Sequence, residues 1–167
     1  MRKILWVFLP IILLGVGTNS TFACTCGSTL ITKVKLMEGK IDGTGADRAW
    51  IDEYPGVIFA GQVIKIKKVQ IKLPSSDYWP NHKVTFKVDR YWKGDSPEVI
   101  VFTGVGGGSC GFRFRKKQSY IVFAQMIENR LQTGICDFTS ESHYAENIIK
   151  GLNLGDGRFA KTESTKQ

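Results

Sequence analysis

Histidine is nearly missing from this chain. His82 and His143 are its only two, and cysteine, with four, is little commoner. Neither histidine stands near a cysteine at zinc-ligand spacing, so no intrinsic metal site is expected. No Ser/His/Asp set and no paired carboxylates present themselves as catalytic machinery. Asp52 and Glu53 are adjacent and read as a solvated face. The expected class is therefore not an enzyme, and no cofactor is called for. No internal repeat is visible. Gly106 to Gly111 formally matches GxGxxG, but a dinucleotide site needs that loop to open a helix. Here it opens Phe112-Arg113-Phe114-Arg115, which alternates like a strand.

Long apolar runs are also lacking. The longest, Ile4 to Val16, has 13 residues, short of the ~20 needed to cross a bilayer. It follows the basic Met1-Arg2-Lys3 and precedes Thr18 to Ala23, a polar stretch ending in a small residue. That order of parts predicts a signal peptide over residues 1–23, cleaved after Ala23, and a protein that is secreted, periplasmic or at the cell surface. Lipid anchoring at Cys24 is the minority alternative, because Phe22 is bulky where a lipidation site wants a small residue. Cleavage removes two cations and leaves a formal charge of +6 from the +8 of the whole chain. That charge is below a nucleic-acid density, and export removes most nucleic-acid partners, so none is expected. Anionic cell-surface polymers stay compatible.

All four cysteines, Cys24, Cys26, Cys110 and Cys136, follow the cleavage point. An even number in an oxidising compartment predicts two disulfides. A Cys24–Cys26 bridge would close a very small strained ring and is set aside. Both other pairings tie the N-terminus to the middle and end of the chain. Each closes a loop of order 100 residues, worth roughly 4 to 5 kcal/mol in the chain-entropy model. A terminus that ordinarily frays is then clamped at its first and third mature residues.

The remaining pattern is mainly β. Asp47 to Tyr54 reads as a short helix with Ala49, Trp50 and Tyr54 on its apolar face, and Pro55-Gly56 as a turn. Val57 to Leu73 alternates, then slips phase by one residue, which predicts a β-bulge near Lys67-Lys68. Further strands are expected at Val84 to Trp92, Glu98 to Thr103, Phe112 to Arg115, Ser119 to Met126 and Leu131 to Phe138. Ser and Thr before Glu141 signal a helix carrying Tyr144, Ile148 and Leu152 on one face and stopping near Gly155. Residues 24–154 form one domain and 155–167 a polar, disordered tail. The expected fold is a five- to six-stranded OB-fold barrel with a C-terminal helix and two disulfides, as a monomer.

Two features carry chemistry. Lys65, Lys67, Lys72, Lys83, Lys87, Arg113 and Arg115 form a basic set on strands; Lys65, Lys67, Arg113 and Arg115 are the candidates for binding an anionic polysaccharide. Charged outward positions are also what solvated strands ordinarily carry. The second feature is Cys24-Thr25-Cys26. Cleavage would free the Cys24 α-amine beside its own carbonyl, and the two can chelate a metal in a five-membered ring. With an α-amino pKa near ~8, part of that amine is neutral and able to ligate. A protease zinc keeps an open coordination position that such a terminus could fill.

The Cys24-Thr25-Cys26 start, Val57 to Val63, Val84 to Gly94 ending Tyr91-Trp92-Lys93-Gly94, Val101 to Thr103, Ser109-Cys110-Gly111, Tyr120 to Ala124, Thr133 and Cys136 together resemble the tissue inhibitors of metalloproteinases and their netrin-like relatives. They cover most of residues 24 to 153 in order. The resemblance implies an OB-fold barrel and the pairings Cys24–Cys110 and Cys26–Cys136. It implies a zinc metalloprotease as partner, with Cys24 chelating its zinc and Thr25 entering its specificity pocket. Cys26, Gly108, Ser109 and Cys110 would form the contact ridge alongside. Gly27-Ser28 stands where the family has a proline-containing stretch, and residues 28 to 55 form a longer connection.

Overall fold

The structure is a computed structural model. It describes residues 24, 26, 33–35, 37–39, 48–71, 80–105 and 110–160, with the backbone alone at 48–50. The expected signal peptide, Thr25, Gly108, Ser109, Lys72 and residues 161–167 lie outside the described residues, as do the side chains of Ala49 and Trp50.

Among the described residues, seven strands follow a short helix α1 (Arg48–Glu53). They are β1 (Gly56–Lys68), β2 (His82–Lys93), β3 (Glu98–Thr103), β4 (Ser119–Ile127), β5 (Arg130–Gln132), β6 (Ser140–Glu141) and β7 (Arg158–Phe159). A 3-10 turn, Ser142–Tyr144, leads into helix α2 (Ala145–Gly151) between β6 and β7. The sheet runs β1-β2-β3-β5-β4, and β4 pairs back onto β1, so five strands close a barrel. Only the β3–β5 contact is parallel. The expected barrel, helix and disulfides are all present.

Closure depends on β1 serving two neighbours. Gly56 to Gln62 pair with β4, whereas pairing with β2 runs from Ile58 to Lys68. The strand therefore bends after it leaves β4. Val63 N–H donates to the Gln118 carbonyl and its own carbonyl accepts from Lys117 N–H, capping the β4 side of the ladder. The register against β2 then slips between Val63 and Lys65. This corrects the expected bulge at Lys67-Lys68, where pairing with Lys83 and His82 is regular. Two further slips, between Ile58 and Phe59 and between Ala60 and Gly61, fall where β1 is still paired with β4. The strand ends at Lys68 and Val69 to Ile71 do not continue it, while Lys72 and Leu73 lie outside the described residues.

The barrel interior is aromatic. Phe59, Phe86, Phe114 and Tyr120 interlock edge to face, with Phe59–Phe86, Phe86–Phe114 and Phe114–Tyr120 centroids 5.3, 5.1 and 4.9 Å apart. A second core lies outside the barrel wall. Ile58, Ile121 and Phe123 point outward from β1 and β4 and are covered by Ile51 of α1, Ile148 of α2, Leu152 and Leu154. β4 is thus buried on both faces, which is why Tyr120 to Ala124 is an unbroken apolar run.

Three other expected elements differ. Phe112 to Arg115 keep the in-out alternation, but they join no strand. Side chains satisfy their backbone instead: Thr103 Oγ1 accepts from Phe112 N–H at 2.8 Å, and Tyr120 OH accepts from Arg115 N–H at 2.9 Å. The strand expected to reach Phe138 stops at Gln132, because Thr133 and Thr139 hydroxyls take over the carbonyl and amide of Phe123. The C-terminal helix ends at Gly151, four residues before Gly155. Beyond it, β7 pairs Arg158 and Phe159 with Tyr91 and Arg90, inside the stretch expected to be a tail.

The interlocked rings make one prediction. Phe59→Ala is expected to destabilise the domain by about 3 to 5 kcal/mol, the usual loss for a buried ring. Urea unfolding followed by tryptophan fluorescence would measure it.

Candidate functional site

Cys24 bonds Cys110 and Cys26 bonds Cys136, with Cα separations of 5.5 and 5.0 Å. This is the pairing the family resemblance implied. Two cysteines one residue apart can reach two different segments only if those segments are adjacent. They are: the Cys110 carbonyl accepts from Ile135 N–H at 2.8 Å, and Gly111 bridges Gly134. The approach is too close for side chains. A Cβ on Gly111 would lie 1.4 Å from the Gly104 carbonyl oxygen, and one on Gly134 would lie 2.4 Å from that of Cys110.

Of the sequence-predicted contact residues, Cys24, Cys26 and Cys110 therefore meet at one seam. Thr25, Gly108 and Ser109 lie outside the described residues. Cys24 and Cys26 are half-buried. Their sulfurs are both spent on bridges.

Behind the seam lies a buried polar knot that the sequence reading missed. Asp137 accepts from Gly134 N–H at 2.6 Å and from Gln125 Nε2 at 3.3 Å, with the Thr133 hydroxyl 3.4 Å away. Lys33, only 6% exposed, donates to the Ile135 carbonyl at 3.4 Å and stands 5.3 Å from the centre of the Phe112 ring. Burial lowers the Lys33 pKa to about 8, and the Asp137 carboxylate opposes that shift. Burial likewise raises the Asp137 pKa, against the pull of Gly134 N–H, Thr133 and Lys33. Lys33 occurs in a glycine-broken stretch whose spacing marks no face. Nothing local distinguishes it from the exposed lysines.

The predicted basic set divides. Lys65 and Lys67 share a surface hollow of about 340 Å³ with Lys83 and Glu98. Lys67 sits directly opposite Lys83 across the β1–β2 ladder. Like charges so placed are unfavourable unless a counter-charge joins them. Arg113 is elsewhere, beside His82 and Ile66. Arg115 is exposed on the segment after it. His143 is exposed on the 3-10 turn, 3.5 Å from Glu141. Among the described residues no three of His, Cys, Asp and Glu converge to hold a metal ion. No helix among them is long and apolar enough to cross a membrane. The chain matches no protein-family model and no curated protein.

The Lys33 shift has a consequence for stability. Between its folded value of about 8 and its unfolded value of 10.5, the unfolded chain holds more protons at this group. Stability from Lys33 therefore rises as pH climbs through that window, because the buried charge is relieved. Thermal melts at pH 8 and pH 10 should show the native chain gaining about 1 to 3 kcal/mol relative to Lys33→Met. A pH response identical in the two proteins would contradict the burial of this charge.

Proposed function

We propose that the chain is a secreted inhibitor of zinc metalloproteases, similar to the tissue inhibitors of metalloproteinases, and not an enzyme. The observation that carries this is the double tether: residues 24 and 26 are each disulfide-bonded, to Cys110 and Cys136, at one seam. Cleavage after Ala23 would make Cys24 the N-terminal residue. Its amine and carbonyl would then sit on a clamped, half-buried residue and lose little freedom on binding. Those two atoms would complete the coordination of the protease zinc, while Thr25 enters the adjoining pocket. Gly108 and Ser109 would extend the contact beside Cys110.

The free amine is the testable element. An alanine placed ahead of Cys24 turns that amine into an amide and removes a ligand. Inhibition of a panel of zinc metalloproteases should fall by on the order of a hundredfold or more, equivalent to about 2.7 kcal/mol. Equal potency of the native and extended proteins would sink the mechanism.

One observation favours a second function, a netrin-like module that binds an anionic polysaccharide. It is the gathering of Lys65, Lys67 and Lys83 in one hollow, three cations against the single carboxylate of Glu98. Joint Lys65→Gln and Lys67→Gln replacement should lower the salt concentration that elutes the protein from an anionic resin. Arg113→Gln with Arg115→Gln should lower it less, since those arginines stand apart from the lysine hollow. The opposite order would remove the lysine cluster as the site.

A further inference from the structure

β1 and β2 part at the end of the barrel where Lys68 pairs with His82. Two hollows open there, of about 440 and 220 Å³, and His82 and Val105 line both. Lys68 lines the larger and Arg113 the smaller. No carboxylate lines either one among the described residues.

The imidazole between them is held in one orientation. Asn81 Nδ2 donates to the Val105 carbonyl at 2.9 Å, and Asn81 Oδ1 accepts from Val105 N–H at 2.8 Å. These bonds fix which way round the amide lies. Its oxygen therefore faces His82 Nδ1, and that nitrogen is the donor. In the neutral ring, Nε2 is then a bare acceptor. Burial, then the charges of Lys68 and Arg113, hold the His82 pKa below its usual 6.5. Lys83, the next residue, lies with Lys65 and Lys67 in the other hollow.

We propose that this cleft binds a phosphoryl group, either free or carried on a sugar, between Lys68, His82 and Arg113. The two permanent cations match the two negative charges of a phosphate monoester near neutral pH. A guanidinium presents paired donors to phosphate oxygens. The same cations repel a metal ion, which a neutral imidazole would otherwise suit. Nδ1–H is engaged by Asn81, so only a protonated ring offers the anion an Nε2–H. Binding of the dianion should therefore favour the protonated ring at His82. This site is separate from the disulfide seam and from the Lys65 hollow.

The chain has only two histidines, and the exposed His143 serves as an internal control. The experiment follows both imidazoles by NMR against pH, in the oxidised protein, at one ionic strength. The three media are chloride, inorganic phosphate and glucose 6-phosphate. In chloride, His82 should titrate below 6.5; phosphate should carry its midpoint above 6.5 and leave His143 in place. A response to inorganic phosphate supports a site for the free anion, and a response to the sugar phosphate alone supports a phosphosugar site. Lys68→Gln and Arg113→Gln, both at exposed positions, should each weaken saturable binding about tenfold, the effect of losing one charge-assisted contact. His82→Asn should bind as the native protein does at pH 8 and more weakly than it at pH 6. His82 midpoints equal in all three media, parallel movement of His143, or unchanged affinity in Arg113→Gln would each overturn the proposal.

Discussion

The approach of the Cys110 and Cys136 segments is the contact on which the N-terminal arrangement depends. Cys24 and Cys26 cannot both be bridged unless their partners lie side by side. That proximity is secured from the core outward. Phe123 is fully buried on β4, and its amide and carbonyl are taken by Thr133 and Thr139. Thr133 leads into Gly134, whose amide is held by Asp137. Gly134 in turn bridges Gly111, next to Cys110. The Phe123 bonds are buried, the Gly134–Asp137 bond is half-buried, and Gly134 has no room for a side chain against the Cys110 carbonyl. The first residues described in the chain are therefore referenced, through a few short links, to the most buried strand of the barrel.

The same architecture segregates charge. The outward faces of β1 and β4 at Ile58, Ile121 and Phe123 are apolar because α1 and α2 cover them. Farther along β1, beyond Val63, no helix among the described residues covers the wall. There Lys65 and Lys67 face solvent beside Lys83, and Lys68 stands by His82 at the barrel end. One strand thus has an apolar half and a basic half. The partner switch at Val63 separates them. Lys33 is the exception: a cation taken inside, where desolvation outweighs its attraction to Asp137. Its retention ties the 33–39 segment to the seam through the Ile135 carbonyl.

What was legible in the sequence followed from periodicity and composition. β2 and β3 declare themselves by alternation, and β4 by five consecutive apolar residues. The α2 face was readable from Tyr144, Ile148 and Leu152, though only Ile148 falls inside the regular helix. Phe112 to Arg115 show how alternation can be right about faces and wrong about pairing: Phe114 is buried and Arg113 exposed, yet Thr103 and Tyr120 side chains do the work of a neighbouring strand. The bulge was misplaced for a related reason. The slips arise where β1 is shared between β2 and β4 or has just left β4, and neither neighbour leaves a local mark in the sequence.

By itself the sequence determined a mainly β domain with a C-terminal helix and an even set of cysteines. Each of those depends on local pattern or on counting. It left the disulfide pairing open, and only family resemblance pointed to Cys24–Cys110 and Cys26–Cys136. Tertiary structure decided the rest. It made Cys110 and Cys136 neighbours, buried Lys33 against Asp137, split Lys65 and Lys67 from Arg113, and set His82 between two cations. These are juxtapositions of residues far apart in the chain. Their energies come from distance and desolvation, which exist only once the barrel has closed. Cys24 and Cys26 show both halves: they are plain in the sequence, but the seam that holds them is a product of the fold.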